Sequence, residues 1–161
     1  MSFLRFTMLL ALIVWIGGII FFAFVMAPTL FTVLPTTKLA GDVVSVSLTK
    51  LHWMGLISGL IFLLCSITYD QLTHRQVKLF ALNHIFVLLM LVLTAVSQFG
   101  IAPRMRELRA ELPNTLTPSS SNPNRAEFDD LHAWSTRLEG GVLLLGLGVV
   151  LLTARRFDSS K

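Results

Sequence analysis

Charge is scarce in this chain: charged residues make up 14% of its 161 positions, against roughly 25% in soluble domains. Cysteine is scarcer still. The single thiol, Cys65, excludes an intramolecular disulfide framework and any zinc site built on cysteines. It lies in an apolar run and reads as a small hydrophobe. No HExxH motif, phosphate loop, dinucleotide fingerprint or catalytic triad is present, so no catalytic residue and no cofactor is evident. A long basic tract is missing too. The net charge of +4 and pI near 9.8 therefore do not point to nucleic acid. The charges gather at the ends of apolar segments, where lipid headgroups would meet them.

What the chain has in quantity is apolar sequence. Hydrophobic residues make up 54% and the mean hydropathy is +0.74. A soluble domain this small could not bury so much apolar surface. Lipid is the solvent that fits. Four runs stand out, at roughly 6–27, 51–69, 77–101 and 134–153, near the ~20 residues that cross a ~30 Å hydrocarbon layer. The last reaches that length only by continuing back to Trp134, whose indole suits the interface. Unpaired backbone is not tolerated in lipid, so each run must be helical. The expected fold is an all-α membrane protein: one domain, a four-transmembrane-helix bundle. The first run exceeds the apolar length of a signal peptide, and Val25-Met26-Ala27 before Pro28 is a poor cleavage site.

The charge pattern suggests an orientation. Arg5, Arg75, Lys78, Arg155, Arg156 and Lys161 crowd short segments beside span ends on one side. Lys38, Lys50, Arg104, Arg106, Arg109, Arg125 and Arg137 spread over two longer loops on the other. Density near the spans favours both termini in the cytoplasm. Pro35 to Lys50 reads as a connector leading into an interfacial helix. Arg104 to Glu111 has the spacing of an exposed helical extension with i,i+4 pairs. The tip at 113–123, rich in Ser, Thr, Asn and Pro, reads as flexible. Asn122-Pro123 then offers an N-cap and first position for the last helix.

Polar side chains inside spans show which face is lined by protein. In the third span Asn83, His84, Thr94, Ser97 and Gln98 share less than half the circumference at about 100° per residue. Asn83 and Gln98 then offer partners to His84, which reads as a satisfied buried histidine. The second span carries a stripe of His52, Gly55, Gly59, Phe62 and Ser66. Gly55-x-x-x-Gly59 permits close helix approach, read as internal packing, with an oligomer left open. Gly17 and Gly18 in the first span and Gly146 in the last are further packing positions.

The last helix presents His132, Ser135 and Glu139 as one polar ridge, with Gly146 continuing that face deeper. His52 lies at the same membrane side. His52, His132, Ser135 and Glu139 thus form a candidate site at one mouth of the bundle, with two readings. They hydrogen-bond one another and stabilise helix ends, or they hold a metal ion or proton, His52, His132 and Glu139 being the candidate ligands. His84 lies roughly 15 Å from the level of His52 by helical rise, so the two do not suit one haem iron.

The segment Trp15-Ile16-Gly17-Gly18-Ile19-Ile20-Phe21-Phe22 with Ala27-Pro28, and the later Phe128-x-x-Leu131-His132-x-x-Ser135, resemble the transmembrane protein 205-like family. That resemblance implies a four-helix membrane protein of unknown reaction, with eukaryotic relatives associated with resistance to platinum drugs. Relatives often carry an amide where this chain has Glu139. The first span also resembles, more faintly, copper-resistance membrane proteins and the haem-pathway four-helix oxidases. Three functions follow as expectations: handling of a small solute or metal ion at the His/Ser/Glu mouth, a haem-binding membrane oxidoreductase, or a scaffold packing through the Gly55/Gly59 face. The first is favoured because the polar faces converge.

Overall fold

The computed structural model describes residues 2–74, 82–111 and 123–158. Among them, four helical rods are long and apolar enough to cross a membrane, and the chain is an all-α, multi-pass membrane protein. The first rod is α1 (Ser2–Phe21), a π-helical turn at Phe22–Met26, and α2 (Ala27–Val33). It runs past the expected end at Ala27. Pro28 lacks the N–H that would reach back one turn, and the π turn just before it absorbs the fault, with the Ala27 amide donating to the Phe22 carbonyl. Leu34 is extended and ends the rod.

The second rod is α3, Thr37–His74. Thr36 starts it as an N-cap, its hydroxyl accepting from the Leu39 amide at 3.2 Å. The expected interfacial helix and second span are thus one continuous helix. The third rod joins α4 (Leu82–Ala95), a π turn at Val96–Ile101 and α5 (Ala102–Glu111). The fourth is α6, Pro123–Asp158, opened by the expected proline. The tip at 113–122, the start of the third span at 77–81, and Arg75, Lys78 and Lys161 lie outside the described residues.

Each rod packs on its predecessor and the fourth closes against the first, giving an up-down-up-down ring. Phe3, Phe6, Phe24, Leu64, Phe99 and Leu144 are all more than half exposed, a surface that water would not tolerate but lipid accepts. Between helices in lipid there is little hydrophobic drive, so close packing must hold the bundle. Trp15 supplies much of it, 2% exposed at the centre. A Cβ added at Gly55 would come within 2.3 Å of Trp15 Nε1, and one at Gly59 within 2.6 Å of Trp15 Cζ3. Gly18 meets Met54 and Leu51, and Gly146 meets Ile16 and Met90. Gly17 is different: nothing lies within 4 Å of its added Cβ, so it makes no close helix contact.

At 38 and 36 residues, α3 and α6 measure about 57 and 54 Å, well beyond a ~30 Å core. Their excess meets α5 at one end as a small helical head, around the fully buried Ala40 and Leu108. Arg109 ties it together. Its guanidinium donates to the Gly41 carbonyl, lies 3.9 Å from Asp42 and stacks over Phe128 at 5.2 Å. Burial pulls this guanidinium below its ordinary range, and Asp42 opposes the shift. Arg104 bonds Glu127 on α6 at 2.7 and 2.9 Å and Glu107 at 3.3 Å.

Candidate functional site

Where the head meets the bundle, three helices direct polar side chains at one another. His52 on α3 is 2% exposed. Its Nδ1 lies 2.8 Å from Gln98 Oε1 and its Nε2 lies 2.5 Å from Glu139 Oε1. Gln98 comes from the π turn of the third rod and Glu139 from the middle of α6. Such turns insert an extra residue into a helix and are frequent at functional sites. Here the turn carries the side chain that fixes the histidine.

With the Gln98 amide oxygen facing Nδ1, the tautomer that fits is the one in which Nδ1 carries the hydrogen and donates it. The contact between Nε2 and Glu139 then needs one further proton, on either atom. Imidazole with carboxylic acid and imidazolium with carboxylate are both neutral overall. Glu139, with 18% of its side chain exposed, is the more accessible member of the pair, against 2% for His52.

Of the mouth residues read from sequence, the structure brings His52 and Glu139 into contact. Ser135 is buried one turn away on α6. His132 does not join them. It shares the angular position of Glu139 but sits seven residues further out, about 10 Å along the axis, exposed and stacked on Phe128 with centroids 6.3 Å apart. Among the described residues no three His, Cys, Asp or Glu side chains gather as metal ligands, so the ligand set His52, His132 and Glu139 is not assembled.

The polar face of the third span divides between the two ends of the bundle. Gln98 serves His52, not His84. The partner of His84 is Ser66 Oγ at 3.0 Å, fourteen residues along α3 from His52, or about 21 Å. Asn83 is buried beside it in sequence. Thr94 Oγ1 and Ser97 Oγ are buried with no hydrogen-bond partner among the described residues. Near the His84 end, Arg5 donates to the Tyr69 hydroxyl at 2.5 and 3.1 Å, and Asp70 is 5% exposed. By sequence Arg5 is a flanking charge, and neither Tyr69 nor Asp70 stands out. An acid at the last turn of an apolar run was the available signal. Between the two polar ends lie Trp15, Phe62, Val87 and Met90, all buried.

This is a multi-pass membrane protein built on an up-down four-helix bundle with polar side chains turned inward. Residues 10–114 match the family described as Domain of unknown function (DUF4149), and the chain belongs to that family. No curated protein and no solved structure matches it. The matched residues include His52 and Gln98 but stop before Glu139 and before the His132–Ser135 motif. Nothing in the match ties the chain to the transmembrane protein 205-like family.

Proposed function

We propose that the protein handles a small solute or ion at the mouth of its bundle, and that the His52–Glu139 pair takes up and releases a proton as it does so. The observation carrying this reading is the 2.5 Å contact between His52 Nε2 and Glu139 Oε1, with Gln98 occupying the other ring nitrogen. The pair is titratable and one member is partly exposed, which gives a proton a route in and out that a structural contact alone does not need. The layer of Trp15, Phe62 and Met90 argues against an open pore and for a carrier-like role.

The other readings lose support. Both His52 nitrogens are engaged, and His84 is bonded to Ser66 about 21 Å away, which does not suit haem held between them. The Gly55/Gly59 face is covered by Trp15 and Leu91, which leaves it no room for a scaffold partner. The His132–Ser135 motif supports a proposed kinship with the transmembrane protein 205-like proteins, and the charge pattern supports termini in the cytoplasm.

The test is reconstitution into liposomes with a pH dye inside. Sodium, potassium, magnesium or zinc salts are then added outside in turn. At least one should change the internal pH faster with the wild-type chain than in empty liposomes, and Glu139→Gln should remove the difference. No salt-driven change above empty liposomes would refute the carrier reading.

A further inference from the structure

On the outer face of the α1–α3 pair lies a groove of about 570 Å³, lined on α1 by Thr7, Leu10, Ala11 and Val14 and on α3 by Lys50, Trp53, Met54, Ile57, Ser58 and Ile61. Its origin is legible. Ala11 and Ser58, two small buried side chains, form the floor where the two helices would otherwise fill the seam, and Ile57, Ile61 and Trp53 form a wall. That volume lies within the range of small-molecule sites, roughly 300–1,000 Å³.

Two features name the occupant. From Lys50 to Ile61 the groove runs eleven residues along α3, about 16 Å, close to half of a ~30 Å hydrocarbon layer. Along α3 that is about one leaflet, and Thr7, two residues from Arg5, carries the lining on α1 further toward the Arg5–Tyr69 end. Lys50 stands at the end where the apolar run of α3 begins, exposed, with no ion pair among the described residues. Trp53 beside it packs edge-on to Phe99 at 5.9 Å, an indole at the depth that suits the interface. A cation at headgroup level above a long apolar slot complements a lipid with a negative head and a long chain.

We propose that this groove is a specific site for one anionic phospholipid, an acyl chain lying over Ala11 and Ser58 and the phosphate meeting Lys50. It is separate from the His52 site: Lys50 is two residues away but exposed, whereas His52 turns into the bundle.

The test is native mass spectrometry of the full chain purified with equal amounts of phosphatidylglycerol and phosphatidylcholine of matched chains. The wild type should retain the anionic lipid about fivefold over the zwitterionic one, the preference expected of one lysine near the surface. Lys50→Gln should bring that ratio near one without changing thermal stability. Ile57→Trp, at an exposed wall position, should lower retention of both lipids. Equal retention by the wild type, an unchanged ratio in Lys50→Gln, or wild-type retention in Ile57→Trp would each overturn the proposal.

Discussion

The indole of Trp15 lies in the notch that Gly55 opens in α3, so close that a Cβ at Gly55 would fall 2.3 Å from its Nε1. Gly55→Ala must therefore displace a rigid ring at the centre of the bundle. We expect it to destabilise the protein in detergent by about 1–3 kcal/mol, the ordinary cost of overpacking. Trp15→Ala should cost more, about 3–5 kcal/mol. Thermal unfolding followed by tryptophan fluorescence, or by circular dichroism for Trp15→Ala, measures both.

Gly17 provides the contrast. With nothing within 4 Å of its added Cβ, Gly17→Ala should be neutral or stabilise by up to about 1 kcal/mol, through helix propensity alone. A loss as large as that of Gly55→Ala would mean Gly17 has a neighbour the fold does not provide.

Glu139→Gln should be tolerated better than Glu139→Leu. The amide can still bond His52 Nε2, whereas leucine leaves a buried ring nitrogen unpaired at about 1–3 kcal/mol. Comparison of melting temperatures in one detergent is sufficient. Equal loss in the two variants would contradict the role given to this contact.

The head should respond to acid through Glu127, which lies outside the membrane-crossing part of α6. Its hydrogen bond with Arg104 holds the carboxyl below its ordinary value of 4.5. The contact therefore contributes fully above that value and is lost as pH falls through the lower, folded one. In Arg104→Met the Glu127 titration, followed by carbon NMR of labelled glutamate, should return upward toward 4.5.

Much of this was legible in the sequence, because hydrocarbon imposes one rule on every apolar run. The four rods followed from run length, and the inward faces followed from where His52, Gln98 and Glu139 stand on their helices. Pairing was harder. A helical wheel gives angle and discards rise, so it sets Gln98 beside His84, although fourteen residues put them about 21 Å apart. The same projection joined His132 to Glu139. The π turn at Val96–Ile101 has no sequence mark of its own, yet it carries Gln98. Arg5 looked like a flanking charge because its partner, the Tyr69 hydroxyl, comes from a different helix.

The contact between His52 and Glu139 is best measured by a double-mutant cycle on unfolding free energy, using His52→Leu, Glu139→Leu and the pair together. A buried pair that shares a proton should couple by at least about 1 kcal/mol, the double variant being less damaged than the sum of the singles. Additivity within about 0.5 kcal/mol would mean the two side chains do not hold each other, and the account of the site would fail.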